Sequence, residues 1–137
     1  MGRQAAFTAA VLTIIVCRGA EVTVPTSDPV ALGKIANRFQ KEIYPLLARE
    51  SNHQESCVEC HDTDNRSSLA FLGEPGDDFE MLLENGYLAM QGPDTLLSRV
   101  MSENPQRRMP KGKTAEPWTN DDIERLKAFL RDLNHNL

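Results

Sequence analysis

The chain has 137 residues, 40% hydrophobic and 26% charged, with 15 basic side chains against 20 acidic ones and a formal net charge of -5. That length fits one domain with a short leader and is enough to bury a core. The acidic balance gives no reason to bind nucleic acid, and its long-range field favours cationic partners.

The first residues read as an export signal. Arg3 supplies a positive start, Ala5 to Val16 form an apolar run of twelve residues, and small Gly19 and Ala20 follow. Twelve apolar residues are too few to span a bilayer comfortably, so no stable membrane span is expected. Residues 1–19 are expected to be cleaved on export to the periplasm or an equivalent compartment. Cleavage removes Arg3 and Arg18 and no acid, leaving 13 basic residues against 20 acidic. Cys17 is an alternative lipid acceptor, but bulky Val16 precedes it where a small residue is wanted, so a soluble cleaved form is favoured. Residues 20–28 are polar, contain Pro25 and read as a linker, with the domain over 29–137.

Ser27 or Asp28 is placed to cap a first helix with Pro29 at its first position. Leu32, Ile35, Ala36, Phe39 and Ile43 keep the spacing of an amphipathic face. Pro45 is expected to end or kink this helix, to push Tyr44 out of the helical region, and to start a short turn through Leu46 and Leu47. Residues 51–56 form a polar connector, in which His53 reads as solvated.

The next five residues, Cys57-Val58-Glu59-Cys60-His61, are a C-x-x-C-H motif, the attachment signature of c-type haem. In a helix, Cys57, Cys60 and His61 share one face. Two thiols there can add to the haem vinyl groups, and the adjoining imidazole can bind the iron. A zinc site would need a fourth ligand that the chain does not offer at a recognisable spacing. A thiol-disulfide C-x-x-C needs no following His and sits in a βαβ pattern that is absent here. With Cys17 in the leader, the domain has no thiols left for a disulfide framework.

After a loop from Asp62, the patch Leu69 to Leu72 ends at Gly73 and is expected to close over one side of the haem or simply to pack. Asp77 or Asp78 is expected to cap a third helix with Phe79, Met81, Leu82 and Leu83, stopped by Asn85-Gly86. Asp94 is expected to cap a fourth, with Leu96, Leu97, Val100 and Met101 at core spacing and Asn104-Pro105 as its end. Residues 105–118 are a proline-rich loop. Thr119 and Asp122 resemble a capping box opening the last helix, whose stripe is Ile123, Leu126, Phe129, Leu130 and Leu133. No strand-like alternation is present, so the expected class is all-α.

An iron held by His61 needs a second axial ligand, and a soft methionine thioether suits an electron carrier. Met81 and Met101 fall on apolar helix faces, where methionine usually fills core. Met90 lies in an unassigned stretch. Met109, between Arg108 and Pro110 in a polar loop, is the expected ligand. Arg107, Arg108, Lys111 and Lys113 surround it and read either as a solvated basic loop or as a docking ring that could also neutralise haem propionates. Trp118 could reach a propionate but reads better as packing. His135 reads as solvated.

This order of parts resembles a small monohaem c-type cytochrome over about residues 29–136. More narrowly, EIYPLLARES before CVECHD, then RRMPKG and WTNDDIERLKAFL, resemble the planctomycete-type cytochrome c domain. The resemblance implies a cytochrome c-like fold of about four to five helices around one haem, with the first and last helices packed across each other. It implies thioether bonds from Cys57 and Cys60, His61 as proximal ligand and Met109 as distal ligand. Lys111 stands where related domains often have a second proline, and the connector before Cys57 is longer, which keeps His53 as an alternative ligand. The expected function is one-electron transfer between redox proteins, without catalysis. The rival is a haem-based sensor or small-gas binder in which Met109 is displaced.

Overall fold

The computed structural model describes residues 28–50, 56–64, 68–111 and 116–137. The expected export signal, Cys17, linker residues 20–27, His53 and Lys113 lie outside the described residues. Among the described residues the fold is all-α, with six helices, one π-helical turn and no strand. None of these helices is long and apolar enough to cross a membrane.

The Asp28 carboxylate accepts the Val30 N–H at 2.9 Å, and Pro29 opens α1, Pro29–Arg38. Proline is suited to that place because its missing N–H would have had no helical partner. The chain then continues through a π-helical turn, Phe39–Ile43, into α2, Tyr44–Leu47. Tyr44 keeps helical angles (φ -55, ψ -40), so Pro45 does not push it out of the helical region as expected. The reason is the wider turn. The Tyr44 N–H reaches back to the Phe39 carbonyl, and this looser winding relieves the clash of the Pro45 ring without demanding a donor from it.

The same turn sends Phe39 and Ile43 inward, both at 0% exposure. The Phe39 ring lies 5.3 Å from Phe79, 5.9 Å from Phe129 and 6.2 Å from Tyr44, in the tilted and edge-on arrangements that ring quadrupoles favour. Phe129 belongs to the last helix, α6, Asn120–Asn136, which packs across α1 and the π turn. The expected capping box opens it: the Thr119 hydroxyl accepts the Asp122 N–H, and the Asp122 carboxylate accepts the Thr119 N–H. Leu126, Phe129, Leu130 and Leu133 are buried along its length. At the rim, Arg38 pairs with Glu42 at 3.0 Å and with Asp132 of α6.

Phe79 comes from α4, Pro75–Glu84. Neither Asp77 nor Asp78 caps it; Glu74 holds the cap position, Pro75 is the first residue, and both aspartates fall in the first turn. Pro75 fixes the entry, which releases Asp78 to turn inward, where it is fully buried. Its Oδ1 accepts the Leu72 N–H at 2.6 Å. Burial, and after it the neighbouring Asp78 carboxylate, push the Tyr44 phenol above its ordinary range. Asp78 thus ties the strap 68–73 to α4, close against α2. At the far end, Gly86 (φ +73) lets its own N–H bond the Leu83 carbonyl while the Tyr87 N–H bonds that of Leu82. This is the expected left-handed stop.

The cap of α5, Leu96–Val100, is Thr95 rather than Asp94, and its hydroxyl accepts the Ser98 N–H at 3.2 Å. Leu97 and Val100 are buried, but Met101 is 46% exposed, against its expected core place. The helix ends at Val100, short of the expected stop at Asn104-Pro105, so Met101 lies past the turn that would have faced it inward.

Two outcomes follow from these ties. Asp78→Ala leaves the Leu72 N–H without its acceptor and should lower stability by about 1–3 kcal/mol, with faster Leu72 amide exchange. Asp78→Asn keeps that acceptor and should lose less; equal denaturation midpoints for wild type and the alanine variant would refute the tie. For Asp122, burial alone would raise the carboxyl, but hydrogen bonds from Arg49 and Thr119 outweigh it and hold it below its ordinary 3.8. A depressed folded pKa stabilises above the unfolded value, and that stability is lost as pH falls through the folded one. Urea midpoints measured from neutral pH into acid should therefore fall less steeply in Asp122→Asn, and an unchanged slope would reject that account.

Candidate functional site

The C-x-x-C-H stretch begins with a cap. Ser56 accepts the Glu59 N–H at 3.1 Å, and the Glu59 carboxylate takes the Ser56 N–H at 2.9 Å, opening α3, Cys57–Cys60. A helix of four residues has little stability alone, so this reciprocal pair matters. Its S-x-x-E spacing is present in the sequence, although assigning Ser56 to the polar connector hides it. Upstream, Arg49 pairs with the buried Asp122 at 2.9 Å and ties the approach to α3 to the start of α6.

Cys57 and Cys60 lie within α3, but His61 turns out of it (φ -114, ψ 42). The three residues therefore do not continue one regular helical face. The His61 N–H still bonds the Cys57 carbonyl at 3.0 Å, and its own carbonyl accepts the Phe71 N–H at 2.6 Å. The strap anchored by Asp78 thereby also holds the backbone of His61.

Cys57, His61 and Met109 line one cavity of about 560 Å³. That volume falls in the rough range of 300–1,000 Å³ found for cofactor and small-molecule sites. Leu47, Leu69, Phe71, Leu82, Leu96 and Val100 make its apolar wall. Leu69 and Phe71 belong to the patch that was expected to cover one side of the site. Asp94, Arg99 and Lys111 place charge along the same lining. Cys60 is exposed and does not appear in the lining, so the structure gathers Cys57, His61 and Met109 and leaves Cys60 beside them.

Met109 reaches the cavity from a loop. The Asn104 carbonyl accepts the N–H groups of Arg107 and Arg108, which tightens the approach. The Met109 N–H then bonds the Arg99 carbonyl at 3.0 Å, and the Met109–Pro110 peptide is cis. Met81, Met90 and Met101, the other candidate thioethers, are not among the lining residues.

The basic residues around Met109 divide. Lys111 lines the cavity, while Arg107 turns to the Pro93 carbonyl at 2.5 Å and stands 3.9 Å from Asp94. Arg108 is half-buried outside the lining. Arg99 and Asp94, paired at 2.5 Å, are lining residues that the sequence did not reveal. Their separation of five positions crosses a helix start and matches no standard pairing interval. Trp118 is buried in the core and does not line the cavity, in line with a packing role. His135 is exposed near the end of α6.

Burial pushes the Cys57 thiol up to about 11, outweighing a backbone hydrogen bond and the nearby Arg49. Redox-active C-x-x-C motifs depend on the opposite, a depressed thiol pKa. Among the described residues, no group of three or more His, Cys, Asp or Glu is placed to hold a metal ion.

In the cofactor-free thiol form, iodoacetamide near neutral pH should label exposed Cys60 first, with Cys57 slower by about tenfold or more until urea unfolds the chain. Equal labelling rates at the two positions would contradict the half-buried setting of Cys57. Comparisons with protein-family models, with curated proteins and with solved structures find no match to this chain.

Proposed function

We propose that this chain is an exported monohaem c-type cytochrome that carries single electrons between redox proteins. The observation that supports it most is the meeting of Cys57 from α3, His61 just past its end and Met109 from a distant loop in one largely apolar cavity of cofactor size. In this reading one haem c would be attached through Cys57 and Cys60, and His61 and Met109 would bind its iron. The residues fit that group: a thiol, an imidazole and a thioether share the lining, and the second thiol lies one helical turn from the first.

Bound haem supplies a one-electron ferric/ferrous couple. The chain sets where and how firmly it sits. Cys57 and Cys60 tether it, and the carbonyl of His61 keeps the proximal segment against Phe71. Leu47, Phe71, Leu82 and Val100 exclude water, which disfavours the more highly charged oxidised state. The soft Met109 thioether acts in the same direction. Lys111, in the lining, would place a cation near the haem carboxylates, and the basic residues of the Met109 loop would serve as a docking surface on an otherwise acidic chain. With His61 and Met109 both on the iron the site would offer no place for a substrate, and no residue is assigned a catalytic role. Residues 1–19 would deliver the chain to the compartment where haem is attached, with 20–28 as the linker. Lipid attachment at Cys17 is the less favoured alternative.

A second reading is a haem-based sensor or small-gas binder. It is favoured by one feature: Met109 is partly exposed and is carried on a loop rather than a helix.

Periplasmic expression with haem-attachment machinery separates the two. Electron transfer predicts covalent haem, a low-spin six-coordinate spectrum with the weak red absorption of methionine ligation, and indifference to carbon monoxide. Met109→Ala should lose the red absorption and bind carbon monoxide. Rapid carbon monoxide binding by the wild type would shift the reading to a sensor, and a chain without covalent haem would defeat both.

A further inference from the structure

We infer that Arg99 is the residue that positions Met109 against the iron, with the Asp94 carboxylate as the anchor of its guanidinium. This rests on the haem reading above and goes one step beyond it. The main-chain and side-chain ends of Arg99 act on the same loop. Its carbonyl accepts the Met109 N–H at 3.0 Å, while its Nη1 faces the Arg107 carbonyl at 3.5 Å. Its Nη2 donates to Asp94 Oδ1 at 2.5 Å. Arg107 completes the latch by donating to the Pro93 carbonyl at 2.5 Å and standing 3.9 Å from Asp94. The turn at 93–94, α5 and the Met109 loop are thus stitched together beside the cavity, and Asp94, Arg99 and Met109 all belong to its lining.

The base of the latch is fixed. Thr95 caps α5, and Val100, the next residue after Arg99, is buried. The backbone that receives the Met109 N–H is therefore held by the core, and the guanidinium restrains the loop two residues before the thioether. Arg99 places two separate nitrogens on a carbonyl and a carboxylate, whereas a lysine would have to reach both acceptors from a single nitrogen. A neutral thioether is easily exchanged for a stronger nitrogen ligand. Holding its loop in place is therefore how this chain would keep the sixth position closed. The latch also gives the exposed basic loop a role other than docking.

The test uses ferric holoprotein titrated with imidazole, with the red absorption of methionine ligation and far-ultraviolet circular dichroism recorded in parallel. Arg99→Gln and Asp94→Asn should each bind imidazole more tightly, by about three- to tenfold, with the helical signal unchanged. Arg99→Lys should restore little of the wild-type value, because charge without the fork cannot bridge both acceptors. Unchanged affinity in both Arg99→Gln and Asp94→Asn overturns the inference and leaves the haem reading standing. Full rescue by lysine with a silent Asp94→Asn also overturns it, and makes Arg99 a plain counter-charge. Should Arg99→Gln fail to fold, Asp94→Asn decides alone. A chain that takes up no covalent haem overturns the functional reading and this inference together.

Discussion

The aromatic junction at Phe39 is the contact on which the molecule depends. Phe39 sits in the π turn, Phe79 in α4 and Phe129 in α6, so one set of ring contacts locks three elements that are far apart in the chain. The cavity is built on the turns just beyond it. Leu47 follows Ile43 by four positions and Leu82 follows Phe79 by three, and both line the cavity. A shift at Phe39 would therefore move two walls together. The π turn makes this geometry compatible with Pro45, since it accommodates the ring while keeping α1, the turn and α2 continuous.

The two proposed axial ligands are seated by the same kind of device. His61 has left α3, and its carbonyl is held by the Phe71 N–H. Met109 stands in a loop, and its N–H is held by the Arg99 carbonyl. In each case the partner adjoins or belongs to the core: Phe71 is buried, and Val100 next to Arg99 is buried. Main-chain bonds to fixed neighbours give irregular segments a definite place without regular secondary structure. Behind His61 the restraint extends further, through Leu72 to the buried Asp78. The two sides are unequal in character. The His61 side ends in a buried carboxylate, whereas the Met109 side ends in Asp94, which is 66% exposed and open to screening by salt.

What could be read in the sequence was local. Asp28-Pro29, Thr119 with Asp122 and Asn85-Gly86 each act over a few residues through steric and hydrogen-bonding preferences of their own, and the structure places all three as expected. The stripe of α6 was legible because seventeen residues give the helical period room to show. The failures were non-local or too short for a period. Tyr44 was misplaced because a π turn is invisible to a 3.6-residue pattern. Asp78 looked like a cap because an Asp-Asp pair before an apolar run carries no sign that one of the two will be buried instead. Asp94 and Thr95 are both acceptable caps, and the choice is set by the arginines that engage Asp94. In the site, C-x-x-C-H and Met109 could be singled out by residue type. Arg99 could not, because its importance comes from where α5 lies relative to a loop eight to ten residues later.

The attachment stretch itself has an asymmetry that follows from these restraints. Cys57 faces the cavity and its thiol is held protonated by burial, while Cys60 on the same short helix is exposed. A helix of four residues cannot impose that orientation by itself. It is imposed from both ends, by the Ser56–Glu59 box at the start and by the His61–Phe71 bond just beyond the finish. The Arg49–Asp122 pair adds a tie from the preceding segment to the capped end of α6. In the haem reading these same ties would seat Cys57 and His61, so that the tether and the iron ligand act from one fixed segment.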